Sequence, residues 1–223
     1  MTTSTAHSIV GESHADYLDT IDLAGKTVFV AGGTSGINLG IAEDFARAGA
    51  RVAVLSRSQD KVDATVDRLN ALGAEAMGAS ADVRDHAATE AALAAAHDQF
   101  GPFDVLISGA AGNFPAAALR LSPNGFKSVV DIDLLGTFHV LRAAYPFLAK
   151  PGASVINISA PQAVLPTITQ AHVCAAKAGV DMLTKVLALE WGRPASESTV
   201  SCPDPSRAPR GWPGWPRPNR IVA

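Results

Sequence analysis

From Lys26 to Gly192 short apolar runs alternate with segments of helical periodicity, and no other feature narrows the choice of fold as far. The run KTVFVAGG is rich in valine and ends in glycines, as a buried parallel strand does where it meets its turn. INLGIAEDFARAGA spaces its apolar residues along one face of a helix and stops at Gly49. The alternation continues through RVAVLSR, SQDKVDATVDRLNALG, AEAMGASADV, ATEAALAAAHDQFG and FDVLISGAAG. It then runs through the long helical stretch FKSVVDIDLLGTFHVLRAAYPFLA, the run ASVINISA and the helix AHVCAAKAGVDMLTKVLALEWG. This order predicts a doubly wound α/β domain over residues 23–192: a parallel sheet with right-handed crossovers and helices on both faces.

The first strand-to-helix turn, VAGGTSGINLGIA, carries the strongest functional signal. Glycines there let the backbone approach a pyrophosphate, and the following helix offers free N–H groups at its N-terminus. Gly32, Gly33, Thr34, Ser35, Gly36 and Ile37 are therefore candidate cofactor contacts, and the fold becomes Rossmann-type. At the end of the second strand an acidic residue would hold the adenosine ribose of NAD, whereas arginine accommodates the extra phosphate of NADP. Ser56 and Arg57 stand there, with Lys61 nearby, so NADP(H) is the expected cofactor. Asp82 and Val83, after the third strand, are placed to meet the adenine, and Ala110 and Gly112, after the fourth, to run close to the cofactor.

These motifs resemble the short-chain dehydrogenase/reductase superfamily over about Asp22 to Gly192. AGGTSGIN is similar to its Thr-Gly-x3-Gly-x-Gly turn, and CAAKAGVDMLTKVLALEWG to its catalytic helix. Departures are informative. Ala31 replaces the threonine, Asn38 the third glycine, and Ser108-Gly109 an Asn-Asn pair. The family's tyrosine, four residues before the lysine, is here Val173. Its serine, thirteen residues before that position, is Ala160 beside Ser159, and its asparagine is Asp133. Lys177 is kept. Valine donates no proton, so ordinary carbonyl reduction is not expected.

One branch of the superfamily, the 2,4-dienoyl-CoA reductases, lacks that tyrosine. AAGNF, LSPNGFKSVVDIDLLGTF, HVCAAK and EWG resemble it, nearest its peroxisomal type. The resemblance implies hydride transfer from NADPH to a conjugated dienoyl-CoA, followed by protonation. It implies that Lys177 holds the nicotinamide ribose and lends positive potential, and that Asp133 is the acid or orients a proton-delivering water. Arg57, Arg84, Phe114, Ser122 and Asn124 match positions that face the CoA moiety. A histidine at the place of His172 is more often structural than catalytic, and Asp133 has the alternative of a plain helix-face hydrogen-bonding role. The resemblance also implies a homo-oligomer. Two other functions stay open: a short-chain oxidoreductase acting on another acyl-CoA or carbonyl substrate, and a catalytically inactive NADP-binding remnant.

Bulk properties exclude other classes. The 223 residues carry a net charge of −3, with no Lys/Arg cluster for nucleic acid or an anionic membrane. No window reaches the apolar length of a membrane span, and the polar leader, residues 1–22, has no signal-like pattern, so a cytosolic protein is expected. Cys174 and Cys202 form no disulfide framework and no metal pattern. No metal site is expected.

From Arg193 the composition changes to a Pro-, Arg-, Ser- and Trp-dense tail, residues 193–223, without periodicity. Joining the third base of each codon from Ala195 onward with the first two of the next allows IGINSIVPGPIAGTEGMARLAPTEPHRG, a strand-, turn- and helix-like string. Tryptophan leaves no codon freedom, yet both tryptophans of GWPGW supply the TG that the shifted Met and Leu codons need. The expectation is a one-base slip between Gly192 and Ala195 that altered the C-terminal part of the sheet. Resequencing the gene checks it: a base lost or gained near codon 193 supports the slip, and an intact frame there sinks it.

Overall fold

The computed structural model describes residues 21–192. The leader up to residue 20 and the tail from residue 193, with the expected frame slip, lie outside the described residues. Five strands form one parallel sheet: β1 (Thr27–Ala31), β2 (Arg51–Ser56), β3 (Ala76–Ser80), β4 (Val105–Ser108) and β5 (Ser154–Asn157). Their order is β3-β2-β1-β4-β5, so the winding reverses between β1 and β4. Helices α1 (Gly36–Arg47), α2 (Gln59–Ala71) and α3 (His86–Phe100) fill the first crossovers. Helices α4 (Pro123–Val130), α5 (Gly136–Ala144) and α6 (Ala171–Trp191) follow β4 and β5.

All five residues of β1 are buried, which explains why Val28–Ala31 is a continuous apolar run rather than an alternating one. Successive side chains serve opposite faces. Phe29 and Ala31 join Leu55, Leu93, Phe103, Leu106 and Leu141 in one core, while Val28 and Val30 join Val52, Val54, Leu69 and Ile107 in the other. The last strand differs. Ser154 and Ile156 of β5 are exposed, Ile156 to 44%, and among the described residues no strand pairs with the outer edge of β5.

The long helix expected around FKSVVDIDLLGTFHVLRAAYPFLA is not uniform. It begins at Pro123, capped by Ser122, whose Oγ accepts the Gly125 N–H at 3.0 Å. A π-helical turn, Asp131–Leu135, then widens it before α5. A Cβ at Gly136 would lie 2.6 Å from Cγ2 of Val83, so glycine lets this widened segment settle against the end of β3. A π turn of this kind is commonly found at functional positions, and Asp133 sits in its middle.

At the other end of the sheet, Asp104 ties β1 to β4. Its carboxylate accepts the Thr27 N–H at 3.0 Å and the Lys26 ammonium at 2.9 Å. Burial alone would raise its pKa, but those two donors outweigh burial and hold it below the ordinary aspartate value. Because the folded pKa is depressed, this contribution is present above the unfolded pKa and lost as pH falls through the folded one. Asp104→Ala leaves the buried Thr27 N–H unpaired and is expected to cost about 1–3 kcal/mol at neutral pH. Urea midpoints should show the gap from wild type shrinking as pH falls through the carboxylate range.

Candidate active site

Because β1 pairs with both β2 and β4, their C-terminal ends stand level: Ala31 lies opposite Leu55 on one side and Ser108 on the other. An open cleft of about 240 Å³ lies there. The turn after β1 contributes Gly32, Thr34, Ser35 and Asn38; β2 and its end contribute Leu55, Ser56 and Arg57. Ala81, Asp82 and Val83 follow β3, Gly109, Ala110 and Ala111 follow β4, and Ile132 comes from the π turn.

The glycine turn is shaped by close approach. Gly32 has φ +81°, and a Cβ on it would meet the Ala110 backbone at 2.9 Å. No side chain fits there. Ser35 stands at the N-cap of α1 without capping it, so the first N–H groups of the helix are left available. Thr34 Oγ1 donates to Ser56 Oγ at 2.8 Å, joining the turn to β2. Asn38, in place of the third glycine, is buried and donates from Nδ2 to the Gly109 carbonyl at 2.7 Å. It is a strut between α1 and β4 that the sequence pattern showed only as a departure. Gly33 is packed behind the turn, where a Cβ would lie 2.9 Å from Val54 Cγ1, and Gly36 and Ile37 start α1 outside the cleft, Ile37 largely exposed.

Arg57 lies at the exposed rim, and among the described residues its guanidinium has no ion-pair partner within 4.0 Å. Asp82 and Arg84, expected to face different parts of the ligands, are joined to each other. Arg84 Nε donates to both carboxylate oxygens, at 3.0 and 3.1 Å, and Nη2 to Oδ2 at 2.6 Å. Hydrogen bonding from Arg84 holds the Asp82 carboxyl below its usual value.

Beside the cleft is a second, drier centre. Asp133 is 1% exposed; its Oδ1 accepts the Gly112 N–H at 2.8 Å, and Oδ2 lies 3.6 Å from Lys177 Nζ. Lys177 Nζ in turn donates to the Ile158 carbonyl at 2.9 Å, which holds the ammonium at the end of β5 rather than in the nucleotide cleft. Burial raises the Asp133 carboxyl above the ordinary aspartate value, against the opposing pull of Gly112 and Lys177. Val173, at the expected tyrosine position, packs with Val129, Val130, Leu134 and Ala176 in an apolar cluster. Among the described residues of this cluster none carries a hydroxyl. Phe114 stacks on His172 with ring centroids 4.7 Å apart, Ser122 is spent on capping α4, and Asn124 is exposed in the first turn of that helix. Sequence reasoning passed over Asn38, Leu55, Ala81, Gly109, Ala111 and Ile132 as cleft residues, and read His172 as more often structural than catalytic.

The short chain dehydrogenase family model matches residues 26–205, running past the compositional break at residue 193. The chain is 42% identical over 177 residues to a peroxisomal 2,4-dienoyl-CoA reductase, (3E)-enoyl-CoA-producing, of Arabidopsis thaliana, covering 75% of this chain and 59% of that one. To the protein of the same name from Rattus norvegicus it is 44% identical over 172 residues, with 76% and 59% covered. It thus spans 59% of the length of these relatives. A solved short chain dehydrogenase from Bacillus anthracis superposes with a TM-score of 0.71 at 36% identity, covering 76% of this chain and 71% of that one. The winding reversal beside a glycine turn that excludes side chains and the match to the family model over most of the chain have one explanation: the chain belongs to the short-chain dehydrogenase family.

Proposed function

We propose that this is an NADPH-dependent reductase of the 2,4-dienoyl-CoA type. The observation that carries the reading is the pairing of a buried Asp133 and Lys177 with an apolar cluster at Val173, where a carbonyl-reducing relative would need a hydroxyl. The relatives named 2,4-dienoyl-CoA reductase support the substrate class.

The cleft suits a dinucleotide: Gly32 allows backbone approach, the N-terminus of α1 offers N–H groups to a pyrophosphate, and Arg57, without an ion-pair partner among the described residues, can meet a 2′-phosphate. NADPH, when bound, supplies the hydride. Ser56 and Arg57 would hold the adenosine end, and Ala110 would lie along the cofactor. The chain's own residues manage charge and proton. Lys177 places a fixed positive charge in a site sheltered from water, where it favours negative charge growing on an acyl thioester. Asp133, with its carboxyl raised by burial, retains a proton more readily than an exposed aspartate and can release it to the α-carbon of the reduced chain. Phe114 and Arg84 remain candidates for the CoA side, with Arg84 having to leave Asp82 to serve it.

Both named relatives are peroxisomal, which favours an organellar setting over the cytosolic one expected from the leader. Among the described residues no helix is long and apolar enough to cross a membrane. A homo-oligomer is supported by exposed apolar side chains on the last helices: Phe138 and Tyr145 after the π turn, and Met182, Val186 and Leu189 on α6.

Nucleotide titration tests the cofactor. NADPH should bind more tightly than NADH, and Arg57→Ala should remove most of that preference, at least tenfold, since a charge-assisted bond contributes about 1.5–3 kcal/mol. Equal affinities for the two nucleotides would overturn it. Activity is tested by NADPH oxidation with a 2,4-dienoyl-CoA, comparing this chain with a version whose reading frame is restored from Ala195. The edge of β5 and the face of α6 that stand open among the described residues lead us to expect slow turnover here and faster turnover in the restored form. Equal rates would mean the tail is functional, and no turnover in either would remove the dienoyl-CoA reading.

A further inference from the structure

Asn38, in the first turn of α1, is a buried amide whose hydrogen bonding is only half met. It is 8% exposed; Nδ2 donates to the Gly109 carbonyl at 2.7 Å, and among the described residues Oδ1 has no hydrogen-bond partner. An acceptor left buried and unpaired lowers stability. The glycine of the turn pattern that this chain otherwise resembles would carry no such penalty. The amide is therefore a poor choice for stability alone, and its effect falls on the segment it binds.

That segment runs from Gly109 to Gly112. Gly109, Ala110 and Ala111 line the nucleotide cleft, and Gly112 donates its N–H to Asp133 Oδ1 at 2.8 Å. Glycine and alanine have no side chain long enough to anchor such a stretch, and glycine loses the most backbone freedom on being fixed, so its position has to be imposed from outside. Asn38 and Gly109 fit each other by size as well as by hydrogen bond. A Cβ on Gly109 would overlap the Asn38 amide, 2.5 Å from Nδ2. The Gly109 N–H donates to the Ala31 carbonyl at 3.1 Å, so Gly109 is held from β1 and from α1 at once. Beyond that clamp Ala110 closes on Gly32, and Gly112 packs against Ile132 of the π turn, whose Cδ1 would lie 3.0 Å from an added Cβ.

We propose that Asn38 is the positioning residue for this segment: through the Gly109 carbonyl it sets both the wall that the dinucleotide packs against and the N–H that orients Asp133. The idea rests on the reading of the cleft as an NADPH site. The first turn of α1 offers its N–H groups to the pyrophosphate, and the same turn carries Asn38, so one side chain fixes the separation between the helix terminus and the β4 loop. A cleft preorganised in this way has less order to impose when nucleotide binds.

The test compares wild type with Asn38→Gly, Asn38→Leu, Gly109→Ala and the double variant Asn38→Gly/Gly109→Ala, all in the full chain. Amide hydrogen exchange followed by NMR reads the segment directly. In Asn38→Gly, and in Asn38→Leu, which keeps bulk but has no donor, exchange at Gly109 and Gly112 should be accelerated at least about tenfold more than at Val28 and Val30 inside β1. Equal acceleration throughout marks general destabilisation and overturns the proposal, as does unchanged exchange at Gly112. NADPH affinity, measured by calorimetric titration, should fall about fivefold or more in both Asn38 variants. Gly109→Ala should bind more weakly still, and Asn38→Gly should suppress that defect, the double variant binding NADPH within about twofold of Asn38→Gly alone. Should Gly109→Ala fail to fold, recovery of folding in the double variant supports the same pairing; losses that simply add overturn it. Wild type that binds neither NADPH nor NADH removes the nucleotide reading, and exchange at Gly112 then decides the proposal. Wild-type binding that both Asn38 variants leave unchanged overturns the proposal and spares the nucleotide reading.

Discussion

The parallel pairing of β1 with β2 on one side and β4 on the other is the constraint from which the rest of the structure follows. A strand paired on both edges and covered on both faces must be apolar or have its polar groups satisfied: β1 is apolar from Val28 to Ala31, and Thr27 donates its hydroxyl to the Phe100 carbonyl. Its neighbours in sequence and in space then diverge at its carboxyl end, because the crossover to β2 and the crossover to β4 lie on opposite sides of the sheet. The cleft that opens there is a consequence of connectivity. Gly32 and Ala110 approach within contact of one another since both leave adjacent strands at the same level.

The second centre shows opposing terms held in balance. Burying a carboxylate and an ammonium is expensive unless each is satisfied by further bonds. Asp133 has the Gly112 N–H and Lys177 has the Ile158 carbonyl, so the two ions need not touch, and they stand 3.6 Å apart. Desolvation still dominates and holds the carboxyl above the ordinary aspartate value.

Much of this was legible in the sequence, for a physical reason. A turn that excludes side chains leaves glycines behind, a doubly covered strand leaves a valine run, and a site that transfers no proton through a tyrosine can carry Val173. What escaped the sequence depends on partners distant along the chain. Asn38 looks like a lost glycine until Gly109 appears across from it. Asp82 and Arg84 read as two ligand contacts, because spacing does not say that they will bond each other. The π turn is hidden since the apolar pattern of Asp131–Leu135 is compatible with an ordinary helix. His172 reads as more often structural than catalytic, and its burial without a hydrogen-bond partner is a property of the folded state alone.

Helix α6 is fastened to β5 by side chains as well as by packing. Lys177 reaches the Ile158 carbonyl, and Asn157 Nδ2 donates to Thr184 Oγ1 at 2.8 Å. Against β4, the same strand has a ladder only four residues long. Among the described residues β5 is an edge strand, and one so short opens easily, but here it cannot leave without breaking the bonds that hold the lysine and the middle of α6. Strand and helix thus form one cooperative unit. Local unfolding at the sheet's edge, ordinarily a remote and harmless fluctuation, would in this molecule dismantle the charged centre in the same event.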